Sequence, residues 1–152
     1  MAVERIRTIL MPTDFSEGAA RALGWARALA RAFGAKIVLL HVVDLAAAWM
    51  PVGGLGSMPA PVPPDFVDRF TTTAQAALDA MAGDATEVTQ RVLRNGHPRE
   101  VILEVAKEVQ ADVIVMGTHG RRGVSHLFIG SVAEHVVRHA SMPVWTVRTP
   151  EP

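Results

Sequence analysis

No cysteine occurs anywhere in the 152 residues. Disulfides, thiol nucleophiles and cysteine-ligated metals are therefore excluded together, and an intracellular setting fits. Net charge is lacking too: 15 Lys and Arg balance 15 Asp and Glu, which argues against a nucleic-acid binder that relies on bulk positive charge. No apolar run approaches the ~20 residues of a membrane span. The opening Met-Ala-Val-Glu-Arg-Ile-Arg has no signal-peptide core, so a cytoplasmic protein is expected. Several chemistries lack their motifs. There is no Gly-x4-Gly-Lys-Ser/Thr phosphate loop. Gly53-Gly54-Leu55-Gly56 has neither the place nor the spacing of a dinucleotide fingerprint. Gly123-Val124-Ser125-His126-Leu127 lacks the second glycine of a nucleophile elbow. Glu134-His135 followed by His139 has the wrong spacing for a metalloprotease helix.

What is present is a compact α/β pattern. Hydrophobic residues make up 49% of the chain, enough for a real core, and the length suits one domain over 1–152. An apolar run at 8–11 stops at Pro12 and reads as a strand. Asp14 or Ser16 is placed to cap the helix that follows over about 17–33, whose stripe is Ala19, Ala22, Leu23, Ala26, Ala30 and Phe33. Residues 36–44 lack alternation, as does a strand buried on both faces of a parallel sheet. Residues 45–64, rich in Ala, Gly, Pro and Met, show no period and read as a long surface connection. A second helix spans about 65–82 with Phe66, Val67, Phe70, Ala74, Ala77, Leu78 and Met81 inward. Residues 87–93 suit an edge strand, Asn95-Gly96 a turn, and Pro98 the start of a helix with Val101, Ile102, Val105, Ala106 and Val109 inward. Strand 112–116, helix 132–140 and strand 142–148 close the chain. Such alternation implies an open parallel sheet with helices on both faces. Ligands then bind beyond the strand C-termini at the switch point, which sets Pro12, Thr13 and Asp14 opposite 117–120.

The stretch 117–131, Gly-Thr-His-Gly-Arg-Arg-Gly-Val-Ser-His-Leu-Phe-Ile-Gly-Ser, joins a buried strand to a helix start. Unpaired N–H groups and a partial positive charge at that start suit a phosphate. Glycines let the backbone approach it, Ser131 adds a hydroxyl at or near the N-cap, and Arg121 and Arg122 bring donors.

These residues resemble the universal stress protein family, whose nucleotide pattern is Gly, two residues, Gly, nine residues, then Gly followed by Ser or Thr. Here it is Gly117, Gly120, Gly130 and Ser131. Pro-Thr-Asp-Phe-Ser at 12–16, Leu-Leu-His-Val-Val-Asp at 39–44 and Pro143-Val144-Trp145-Thr146-Val147 follow the family in order. The resemblance covers nearly the whole chain. It implies an open parallel five-stranded sheet ordered 3-2-1-4-5, Rossmann-like, with a site for ATP or a related adenine nucleotide and Mg²⁺ or Mn²⁺ as candidate metals. Carried over by position, Pro12, Thr13 and Asp14 line the adenosine side, and Val42 meets the adenine edge through its backbone. Met116 and Gly117 lie beneath the nucleotide. Gly120, Arg121, Gly130, Ser131 and Val132 surround the phosphates, with Arg122 beside them. Segment 45–64 matches no family pattern.

Other readings stand beside these. Asp14 is a helix cap, a ribose or metal contact, or both. His41 reads as a structural histidine. His135 and His139, one turn apart, have chelating spacing but no third ligand, and an exposed face explains them. His119 and His126 read as loop packing. With no obvious catalytic base, the chain suits a nucleotide-dependent regulatory module, the alternative being a slow ATPase or phosphate-transferring protein. A scaffold domain with an empty site is a third reading. Val144, Trp145 and Val147 at a sheet edge point to a homodimer, as the resemblance also implies.

Overall fold

The computed structural model describes residues 5–48, 63–118 and 129–149. Among the described residues, five strands and five helices follow in the order β1 Thr8–Thr13, α1 Glu17–Phe33, β2 Lys36–Val43, α2 Leu45–Ala48, α3 Phe66–Ala82, β3 Val88–Asn95, α4 Pro98–Glu108, β4 Val113–Gly117, α5 Ser131–His139 and β5 Val144–Val147. The sheet is wholly parallel in the order β3-β2-β1-β4-β5, as the resemblance implies. Strand residues alternate between two cores. Ile9, Met11, Ile37, Leu39, Val113 and Val115 pack with buried residues of α1 and α3. Leu10, Val38, Leu40, Ile114 and Met116 pack with those of α4 and α5.

The order reverses between β1 and β4, and there the sheet opens. Their register runs only Ile9↔Val113 and Leu10↔Ile114, and Pro12 has no N–H with which to carry the ladder on. The N-terminal ends of the pair are tied by Asp112, whose Oδ2 accepts from Arg7 N at 2.7 Å and Thr8 N at 2.8 Å. The strands are clamped at one end and part at the other.

Several expectations need correction. Phe33, Val67 and Phe70 are exposed, and Phe66 is only half-buried: the helical period is right, but α1 and α3 outrun the sheet that would cover them. Segment 45–64 is not wholly irregular. Strand β2 stops at Val43, and Asp44 caps the single turn α2 through Ala47 N at 2.9 Å. Residues 49–62 lie outside the described residues. On β5, Trp145 is exposed, Val144 half-buried and Val147 only 5% exposed, because Val147 turns into the α1 core.

Glu87 joins the end of α1 to the start of β3. It accepts from Arg31 Nε, and Arg27 Nε stands 3.7 Å away, an ion-pair distance without a hydrogen bond. The bond from Arg31, followed by Glu87's own backbone N–H, holds its carboxyl below the usual range. A lowered carboxyl stabilises the fold above its unfolded value, and that contribution fades as pH falls through the folded value. Glu87→Gln is therefore expected to lower the melting temperature at neutral pH and to flatten its fall in acid. Parallel acid-titration curves for variant and wild type would contradict this.

Candidate functional site

Beyond the splayed ends of β1 and β4 lies a cavity of about 390 Å³, within the range that holds small ligands. It brings together Pro12, Thr13 and Asp14 from the end of β1, Val42 from β2, Met116 and Gly117 from β4, and Gly130, Ser131 and Val132 at the start of α5. Gly120, Arg121 and Arg122, with His119 and His126, lie outside the described residues. Sequence reasoning missed Thr118, Leu40 and the α4 contribution of Pro98 and Ile102. The α4 wall had a signal in Pro98, since a helix that starts after a parallel strand begins at the ligand-binding end of the sheet.

The turn from β1 into α1 is strained, and local bonds hold it. Phe15 has φ 63°, unusual for a bulky residue and costing on the order of 1–3 kcal/mol. Phe15 N donates to Thr13 Oγ1 and Ser16 N to Asp14 Oδ1, each at 3.0 Å. Ser16 then caps α1 through Ala19 N at 3.2 Å. The choice between the two capping residues thus falls to Ser16, and Asp14 is left on the cavity wall. The Phe15 ring lies 4.4 Å from His41. His41 Nδ1 donates to Thr13 O at 2.7 Å, so that nitrogen carries a proton and the ring ties β2 to β1.

On the other side the neck of the loop is closed by Thr118, only 2% exposed. Its N–H donates to Val147 O at 3.0 Å, and its carbonyl accepts from Gly130 N at 2.6 Å. Gly130, rather than Ser131, is the N-cap of α5 and supplies no side-chain bond. The first-turn amides of α5 thus have no side-chain cap, and the positive end of the helix faces the cavity. Gly130 has φ −59° and ψ 153°, which any residue adopts, so backbone strain does not require a glycine there. Gly117 is different. A Cβ there would meet Gly18 C at 3.0 Å and Gly18 O at 3.1 Å, so it is the α1 backbone that requires this glycine.

A larger cavity of about 820 Å³ opens between β2, α2 and α3, with Phe15, Phe66, Phe70 and Ala77 on its walls; it shares His41 and Val42 with the first. It accounts for the exposure of Phe70. Arg69 on its wall is paired with Asp65 at 3.5 Å, and Asp44 leaves a net negative charge there that disfavours an anionic ligand. The smaller cavity, with its helix start, has the chemistry for one. Among the described residues no group of three His, Asp or Glu is placed to hold a metal, and no helix is long and apolar enough to cross a membrane. His135 and His139 stack at 4.1 Å, and His139 Nδ1 donates to His135 O at 2.8 Å, which is packing rather than chelation.

The model of the universal stress protein family matches residues 5–148. The chain belongs to the universal stress protein family. It is 36% identical to a universal stress protein of Thermus aquaticus over 93% of this chain and 98% of that one. It is 28% identical to universal stress protein MJ0577 of Methanocaldococcus jannaschii over 93% and 94%. The solved MJ0577 structure superposes with a TM-score of 0.78 at 25% identity over 97% of this chain and 99% of that one. A universal stress protein solved in complex with cAMP shares the fold, with a TM-score of 0.58 at 24% identity over 96% and 99%.

Because the α1 backbone leaves no room at Gly117, Gly117→Ala is expected to destabilise the protein by about 1–3 kcal/mol, measured by urea unfolding without nucleotide. An unchanged urea midpoint would show that α1 shifts aside freely.

Proposed function

We propose that this member of the family binds ATP in the smaller cavity and serves in the cytoplasm as a nucleotide-dependent regulatory module of the stress response. One observation carries the reading: the residues that the family pattern names and the structure describes line one cavity, and that cavity ends on a helix start without a side-chain cap. Leu40, Val42, Ile102 and Met116 give the base an apolar surround. Pro12, Thr13 and Asp14 stand on the adenosine side. The phosphates reach the amides of Ser131, Val132 and Ala133, where the helix end favours negative charge. Arg121 and Arg122 belong to the loop that leads there. The relative solved with cAMP holds an adenine nucleotide. The glycine pattern and the open first turn of α5 favour a longer phosphate chain here.

Binding would act by bridging. ATP joins the ends of β1 and β4 to the start of α5, and so changes the surface that these elements present. Partners would then read that surface. A second reading, slow ATP hydrolysis or phosphoryl transfer, has one observation in its favour: Asp14 and Ser131 share the cavity, a carboxylate to position Mg²⁺ or Mn²⁺ and a hydroxyl to accept a phosphoryl group. Incubation with Mg-ATP separates the two. Intact ATP recovered from a tight complex supports the regulatory module. Release well above about one phosphate per minute, against enzyme medians near ~10 per second, supports the enzyme.

The site reading is tested by Gly130→Val. Its backbone angles accept any residue, so the fold is expected to lose only about 1 kcal/mol for a poor cap, while calorimetry should find ATP binding abolished. Undiminished affinity would remove the phosphate assignment. Ser131→Ala is expected to weaken binding by no more than the ~1.5–3 kcal/mol of a hydrogen bond to a charged group.

We also propose a homodimer through β5. Trp145, 43% exposed, lies 6.0 Å from Trp25 of α1, 49% exposed. The two rings form an apolar surface beside an unpaired strand edge, which invites a two-fold partner. Light scattering at micromolar concentration should give twice the chain mass, falling to one chain for Trp145→Glu. A monomeric wild type would overturn the assignment.

A further inference from the structure

The seam between α4 and α5 carries three histidines that the nucleotide reading does not use. His97 is the N-cap of α4, and its Nδ1 accepts from Arg99 N at 3.3 Å. A ring nitrogen that accepts has no proton, so this cap exists only while the ring is neutral. Protonation removes the acceptor and sets a positive charge at the positive end of the helix. Across the seam, His135 is half-buried and stacked on exposed His139, with ring centroids 4.1 Å apart. Charging both rings would place two cations face to face.

Its surroundings favour the neutral state of His135. Burial first, then His139 and Arg99, hold its imidazole below the ordinary histidine range; Glu100 opposes them, and His97 adds a smaller push in the same direction. On its own helix, Glu134 is engaged with Arg138 at 3.0 Å. A lowered imidazole binds its proton more readily once the seam opens, so the packed seam is favoured above the ordinary histidine range and loses that advantage as pH falls toward the lowered value.

Both helices wall the nucleotide cavity at these points. Pro98 directly follows His97, and Ser131 lies one turn before His135; both residues line the cavity. We infer that the histidines of the α4–α5 seam make nucleotide occupancy proton-dependent, with acid loosening the seam and releasing the nucleotide. This rests on the nucleotide reading above. Added positive charge also attracts a phosphate, but the exposed His97 ring and the half-buried His135 ring, neither of them enclosed, act through screening water. Loss of the cap and the seam acts on the cavity wall itself.

The test compares wild type with the double variant His97→Asn, His135→Gln. It keeps a capping side chain at 97 and cannot be charged at either position. ATP affinity of each is measured by calorimetry at pH about 8 and about 5.5. Protonation of ATP itself cancels in the ratio of the two dissociation constants. That ratio, wild type over variant, is expected near one at the higher pH and at least about threefold greater at the lower. A ratio that stays flat or falls overturns the inference. If wild type binds no ATP at pH about 8, the nucleotide reading fails by itself, and melting without nucleotide decides the seam. Wild type must then lose more of its melting temperature in acid than the variant, and equal losses overturn the inference.

Discussion

One backbone hydrogen bond holds the candidate site together: Gly130 N–H to the carbonyl of Thr118. It joins the residue just after a buried parallel strand to the N-cap of the helix that follows. Thr118 is in turn bonded to Val147 on the neighbouring strand, so the anchor belongs to the rigid sheet. The start of α5 is therefore set against the sheet end. Removing that constraint would leave a helix start, but not one aimed at the crevice between β1 and β4.

The crevice exists because two neighbouring strands are bound at one end only. Asp112 clamps the start of β1 to the start of β4, while Pro12 leaves their far ends unzipped. In a protein with no net charge, oriented amides would give the crevice a local preference for anions. The strained Phe15, the cap at Ser16 and the tie from His41 to Thr13 maintain the opposite wall. Each wall is fixed by backbone geometry, which suits a site meant to hold a ligand in one pose.

Much of this was legible in the sequence. Uninterrupted apolar runs at Leu10, Val38 and Ile114 marked buried parallel strands, and the glycine spacing marked the loop that leads into α5. What could not be read were matters of neighbourhood. Periodicity gave Phe33 and Phe70 a face but could not say where the sheet ends, and so both were expected inside. The turn Leu45–Ala48 is too short for a period to register. Gly117 fits a phosphate motif, yet the contact that demands it comes from Gly18, nearly a hundred residues earlier in the chain. Val147 was expected at an exposed edge; it shares a face of β5 with exposed Trp145, yet it packs into the α1 core. The role of His97 depends on which ring nitrogen meets Arg99, and only coordinates supply that.

The central claim, that the first turn of α5 receives the phosphates of a nucleotide, is tested most directly by titrating ATP into ¹⁵N-labelled protein and following the backbone amides. Saturable shifts at Ser131, Val132 and Ala133, accompanied by Val42, are expected. The contrary result is millimolar ATP leaving those amides unmoved, or shifts that gather around Phe66 and Phe70 instead.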